Sequence, residues 1–165
     1  MTLAYSDEEF KARLRPGVEA EHYVAERLRA WGFQVQEYGY VFRDHPDQIS
    51  DFTKNQTDLI VSGYLNVEVK SRTVEFTSPE DYPFADAAIE AKRVFESKLK
   101  RPDLYVIHSR PTGALVIADA RQADQWVVRP MRDRARDVTR DTYFAPKRVL
   151  KHERYMEGFL AALSV

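Results

Sequence analysis

Asp58, Glu68 and Lys70 lie within one stretch, Thr57 to Lys70, which reads TDLIVSGYLNVEVK. Asp58 and Glu68 are ten positions apart and Lys70 follows two later. Two carboxylates held a few ångströms apart repel unless a cation or a proton joins them. Oxygen ligands of this kind suit Mg2+ or Mn2+, so the pattern reads as a hard-cation site if both acids face the same way. The plainer alternative is a solvated Glu-x-Lys ion pair on a strand face, contributing roughly 0 to 1 kcal/mol, with an aspartate upstream by chance.

The elements that would position these groups follow from periodicity. Leu65, Val67 and Val69 alternate with Asn66, Glu68 and Lys70, the period of a strand with one face on a core. Side chains at i and i+2 share a face, so Glu68 and Lys70 project together. Leu59, Ile60 and Val61 form the preceding apolar run, and Ser62-Gly63 interrupt it. Opposed residues of an antiparallel pair share a face, and a slip of one residue reverses them all. A three-residue loop, Ser62-Gly63-Tyr64, sets Asp58 opposite Glu68; a two-residue loop sets it opposite Val67 and separates the acids. The chemistry therefore predicts the longer loop, or a bulge that restores parity.

A third acid comes from further upstream. Val18, Glu21, Val24, Ala25, Leu28 and Trp31 recur at three and four residues, the stripe of an amphipathic helix over about Val18–Trp31. Glu21 on that stripe is costly to bury unless paired or metal-bound; the alternative is a boundary glutamate whose carboxylate reaches water. A shorter helix is expected from Ser6, a good N-cap followed by Asp7, Glu8 and Glu9, to Arg15, with Pro16-Gly17 ending it. Gly32 closes the second helix, and Phe33–Tyr38 alternates as a strand. Residues 39 to 56, aromatic then polar, read as a long loop, of the kind that is usually functional or mobile.

Beyond Lys70 the pattern is mixed. Thr73–Pro83 looks irregular, with an extended piece around Phe76. A helix is expected over about Ala87–Leu99, with Ala88, Ala91, Val94, Phe95 and Leu99 on one side. Asp103–Ser109 and Ala114–Ala118 are buried-strand runs flanking a Pro111-Thr112-Gly113 turn. Residues 121 to 140 interleave six arginines with Asp124, Asp133 and Asp137, either a salt-bridged face or a phosphate-binding one. Thr142–Ala145 suits a last strand. A final helix is expected from Pro146, at its first position, to Leu163, basic in its first half and apolar at Phe159, Leu160 and Leu163.

The whole sets limits. The 165 residues suit one domain over 1–165, with a basic helical segment over about 121–165. Hydrophobic residues make up 44% and charged residues 31%, as in globular proteins rather than disordered ones. There is no apolar run near the ~20 residues a membrane span needs and no signal-peptide pattern. With no cysteine, disulfides and thiolate metal sites are excluded. His22, His45, His108 and His152 lack zinc-ligand spacing. These features suggest the cytosol of a cell, a phage-infected one included. The net charge of −1 does not favour strong non-specific DNA binding, yet partners respond to local fields rather than totals. No Gly-rich phosphate loop, internal repeat or nucleophile elbow is present.

The order of a helix carrying Glu21, then Asp58, then Glu68-Val69-Lys70 on a strand resembles the PD-(D/E)XK nuclease superfamily. Gly17-Val18-Glu19-Ala20-Glu21, Leu28-Arg29-Ala30-Trp31-Gly32-Phe33 and Glu68-Val69-Lys70-Ser71-Arg72 resemble the archaeal-type Holliday junction resolvases. The likeness covers roughly residues 17 to 72. It departs at Thr57, where the family has proline, and after Arg72. Small phage-encoded nucleases of the superfamily resemble the chain equally well. The resemblance implies an α/β fold with a restriction-endonuclease-like core, a central mixed β-sheet flanked by helices. It implies Asp58 and Glu68 as ligands of one or two Mg2+ ions (Mn2+ substituting), with the Val69 carbonyl and Glu21 completing the set. Lys70 would orient or help deprotonate the attacking water, and the products would carry 5′-phosphates. Ser71, Arg72, Lys92, Lys98, Lys100 and Arg101 are the expected DNA contacts, with residues 129 to 154 extending the basic rim. Branched duplex DNA is the expected partner and a homodimer the expected assembly. A restriction-type or end-processing nuclease, and a non-catalytic DNA-binding module, are the alternatives.

Overall fold

The computed structural model describes residues 7–38, 57–134 and 137–161. The expected Ser6 cap, the loop over 39 to 56 and the apolar end at Phe159, Leu160 and Leu163 lie outside the described residues or side chains. The elements run α1 (Asp7–Ala30), β1 (Val35–Glu37), β2 (Leu59–Val61), β3 (Leu65–Arg72), β4 (Asp86–Ala91), α2 (Lys92–Ser97), β5 (Leu104–Ser109), β6 (Leu115–Asp119), β7 (Val127–Asp133), β8 (Val138–Pro146), β9 (Lys151–His152) and α3 (Tyr155–Ala161).

The fold is mixed α/β, with a central six-stranded sheet in the order β1-β2-β3-β5-β6-β9. β3 and β5 are parallel; the other neighbours in it are antiparallel. Each strand interior sorts its residues by parity. Leu65, Val67, Val69, Leu104, Val106, Leu115 and Ile117 face α1 and pack with Ala20, Val24, Ala25, Leu28 and Met156 of α3. Tyr105, Ile107, Val116 and Ala118 face the other way. That second face is covered by α2, through Phe95, and by a second sheet in the order β4-β8-β7, through Ala87, Ile89 and Ala145. Two cores on opposite faces of one sheet explain why Leu104–Ile107 of β5 and Leu115–Ala118 of β6 are continuous apolar runs rather than alternating.

Several sequence expectations are corrected. The two opening helices are one, α1, which runs through Pro16. Proline removes one backbone donor, but its fixed φ is helical, and the buried stripe behind it anchors the helix. The expected helix over Ala87–Leu99 is instead strand β4 followed by the short α2. Ala87 and Ile89 also alternate at the strand period, and β8 supplies a pairing partner that no local pattern reveals. The expected C-terminal helical segment is largely strand: β7 and β8 form a hairpin, Pro146 ends β8, and the helix begins only at Tyr155. The long β7–β8 pairing satisfies a segment whose Val, Thr, Tyr and Phe favour strands.

The expected turns are present. Val61 pairs with Leu65 across Ser62-Gly63-Tyr64, with positive φ at Ser62 (54°) and Gly63 (81°). Gly113, φ 74°, closes the β5–β6 turn, where an added Cβ would lie 2.9 Å from the Tyr23 hydroxyl oxygen. Asp103 accepts a 2.8 Å bond from the Asn66 N–H, tying the start of β3 to the chain entering β5.

Candidate functional site

The hairpin register decides the geometry. Leu59 pairs with Val67, so Asp58, the next residue outward, comes level with Glu68 and shares its face. The Val69 N–H donates to the Asp58 carboxylate at 2.8 Å, beyond the end of β2. In an extended strand one residue's N–H and C=O point to the same edge, so the Val69 carbonyl faces that edge too. Glu21, on α1, lies close enough to Asp58 and Glu68 for both to act on its carboxyl. Glu21 and Glu68 are buried, no more than 9% exposed, and Asp58 and Lys70 are half-buried. The structure therefore brings Glu21, Asp58, Glu68 and Lys70 together at one end of the β2–β3 hairpin.

Two further residues join them. Glu68 offers one carboxylate oxygen to Lys70, at 2.7 Å, and the other to Lys98. Glu90, on β4, stands 3.6 Å from Lys70 and 3.1 Å from Lys98. The two acids and two amines thus alternate around a closed ring. The Tyr105 hydroxyl donates to Glu90 at 2.7 Å. A β-bulge between Ala88 and Glu90 makes this possible. With Ile89 as the extra residue, Glu90 comes opposite Tyr143, whose ring packs into the second core. The bulge thus turns Glu90 onto the inward face, where regular alternation would point it away.

The electrostatics divide the site. Burial, Asp58 and Glu68 push the Glu21 carboxyl up to about 8. Burial and Glu68 push Asp58 up to about 6, against the Val69 N–H and the two lysines. Burial also works to raise Glu68, but Lys70 and Lys98 outweigh it and hold Glu68 below the usual range. Burial disfavours the charged Lys70, yet Glu68 and Glu90 prevail and hold its ammonium above the ordinary lysine value. Burial and hydrogen bonding to Glu90 raise the Tyr105 hydroxyl, which stays a donor. The Glu21–Asp58 pair is thus a carboxyl pair that retains a proton near neutrality, beside a ring whose charges cancel. The carboxylate oxygens of Glu21, Asp58 and Glu68 are the donor type that a hard divalent cation takes, although among the described residues only His22, Glu26 and Glu37 place three ligand atoms within 4.8 Å of one another.

The expected DNA contacts fall in different places. Lys98 belongs to the ring, its side chain 10% exposed. Arg72 reaches the Ala88 carbonyl at 3.4 Å, and burial and Arg110 lower its pKa. The Ser71 hydroxyl accepts from Arg110 at 3.0 Å. Lys92 lies 3.9 Å from Glu96, Lys100 is exposed, and Arg101 stacks 4.9 Å from the Phe95 ring centre. In the arginine-rich segment Arg121 pairs with Asp119, Arg129 with Asp86, and Arg132 with Asp137. His22, Glu26 and Glu37 cluster on the surface at metal-ligand spacing, but Arg29 already bridges both glutamates at 2.7 and 2.8 Å.

Glu90 and Tyr105 escape a reading of the sequence. Glu90 lies in a segment with helical periodicity, and Tyr105 in an unbroken apolar run. The signal for Glu90 is the strand-period pair Ala87 and Ile89, with an acid where an apolar residue would follow.

No protein-family model matches the chain, and neither a curated protein nor a solved structure is similar to it at a significant level.

Proposed function

We propose that the chain is a metal-dependent DNA endonuclease of the PD-(D/E)XK kind, with four-way (Holliday) junctions as its substrate. The observation that carries this reading is the meeting of Glu21, Asp58, Glu68 and Lys70, from α1 and both strands of a hairpin, in one buried cluster. A helix, then the antiparallel β1-β2-β3, then β5 parallel to β3, is compatible with a restriction-endonuclease-like core.

Asp58, Glu68 and the Val69 carbonyl would hold Mg2+, or Mn2+ in its place, with Glu21 completing the set. A cation held there would polarise the scissile phosphate and lower the pKa of a bound water. Asp58 and Glu21 would give up the proton held between them if they took up ligand roles. Lys70, kept charged by Glu68 and Glu90, acts as a cationic donor that orients the attacking water and offsets charge building on the phosphate. Its raised pKa makes it a poor general base. Symmetric cutting of a junction requires two sites about a two-fold axis, hence a homodimer.

A second reading concerns the substrate. The likeness to junction resolvases ends at Arg72, and the second sheet of β4, β8 and β7 lies wholly outside it. That sheet favours a restriction-type or end-processing nuclease with the same chemistry. The test is a panel of four-way junction, nicked, linear duplex and single-stranded DNA, each with Mg2+ and with chelator. Cutting of the junction alone, lost in Asp58→Asn, supports resolution. Cutting of linear DNA moves the substrate to the second reading. DNA binding with no cutting of any substrate would point to a non-catalytic binding module and sink the enzyme reading.

A further inference from the structure

We propose that Lys98 is a positioning residue that competes with a divalent cation for Glu68, so that the cation is admitted only as Lys98 retreats onto Glu90. The inference rests on the metal-site reading above. Glu68 has two carboxylate oxygens, and each holds an ammonium: Lys70 on Oε1 at 2.7 Å and Lys98 on Oε2. A cation approaching Oε2 while Lys70 keeps its place meets the Lys98 ammonium, whose like charge opposes it.

The geometry marks Lys98 as the amine that yields. Lys70 sits two residues from Glu68 on the same strand, and its distance to Glu90 is 3.6 Å. Lys98 comes from another element, at the C-terminal cap of α2, and already has Glu90 at 3.1 Å. Its ammonium can leave Glu68 without losing a carboxylate partner. Glu90 is itself fixed by the Tyr105 hydroxyl at 2.7 Å, so the refuge is preorganised. The Tyr105 ring, 6.0 Å from Lys98 Nζ, adds a weak attraction on the same side. The ring of two acids and two amines therefore serves as a latch whose movable part is Lys98.

The test is calorimetric titration of Mn2+ into the full chain, with Lys98→Met and Lys98→Arg beside it. Removing a positive charge next to the ligands tightens binding, so Lys98→Met is expected to bind Mn2+ at least about tenfold more tightly. Lys98→Arg, which keeps the charge, stays within about twofold of the parent. A purely structural lysine would lower the melting temperature of Lys98→Met and leave its Mn2+ affinity where it was; that result overturns the inference. Should Lys98→Met not fold, the side-chain ammonium resonances of the unaltered protein serve instead. Addition of Mg2+ should move the Lys98 signal more than that of Lys70, and the reverse order overturns the inference. Absence of Mn2+ binding by parent and variants alike would remove the metal-site reading and this inference together. Equal binding by parent and Lys98→Met removes the inference alone.

Discussion

Two groups of buried carboxylates lie side by side in this molecule and behave in opposite ways. Glu21 and Asp58 lie together, and burial, with Asp58 and Glu68 acting on Glu21 and Glu68 acting on Asp58, pushes them up to about 8 and about 6. Glu68 is similarly buried, but Lys70 and Lys98 hold it below the ordinary glutamate range. Desolvation acts on all three; what differs is whether an amine lies inside the group. The ring of Glu68, Lys70, Glu90 and Lys98 is balanced by the chain's own residues, whereas the Glu21–Asp58 pair needs a proton or a cation from outside. A site that recruits a metal has to be left incomplete at one place, and on the proposed function that place would be the edge where β2 stops.

That contrast can be broken from either side. The largest effect is expected from Asp58→Asn, which removes the acid of the unbalanced pair that lies nearest the ring. DNA cleavage in Mg2+ should fall about 10³-fold, the scale of losing one preorganised stabilising group; a variant cutting within tenfold of the parent would place the chemistry elsewhere. Next comes the ring. Glu90→Ala leaves two buried amines with one acid, and removal of one partner of a buried ion pair costs about 3 kcal/mol. Urea unfolding should read that loss, with Glu90→Gln milder because it keeps an acceptor for Tyr105.

The pH dependence separates the groups without mutation. Glu21 holds its proton in the folded protein up to about pH 8, against 4.5 for an ordinary glutamate. Between those values the folded chain binds more protons than the unfolded one, so stability falls as pH rises. Asp58 acts in the same sense between 3.8 and about 6. In chelator, Tm should therefore drop by roughly 5 °C or more from pH 5 to pH 8. Glu21→Gln should flatten the drop, as should saturating Mg2+. Glu68 contributes with the opposite sign: its lowered pKa adds stability that is lost only in acid, as the pH falls through its folded value. The smallest effect is the control. Arg132 and Asp137 carry the same opposite charges in the open, with side chains 68% and 80% exposed. Arg132→Ala should leave Tm within about 1 °C of the parent by thermal denaturation.

Periodicity and parity made the hairpin and the α1 stripe readable in advance. Alternation over Leu65–Lys70 places Glu68 and Lys70 on one face, and the acids converge only if three residues form the turn, as they do. Val24, Ala25 and Leu28 at helical spacing orient Glu21 toward the sheet. Such inferences hold because neighbouring residues fix them. Glu90 is of another kind. Its segment satisfies both helix and strand periods, and the outcome depends on β8, some fifty residues later in the chain.

What the amino-acid order settles by itself is therefore which acids and amines can share a face, because backbone geometry converts spacing directly into direction. The tertiary structure alone decides what surrounds them. It makes one helix of two by burying the half beyond Pro16, and turns a helical pattern into β4 through its pairing with β8. By one bulged residue it brings Glu90 inward to complete the balance of Lys70 and Lys98. These outcomes depend on the free energy of contacts between distant segments, which short-range periodicity does not encode.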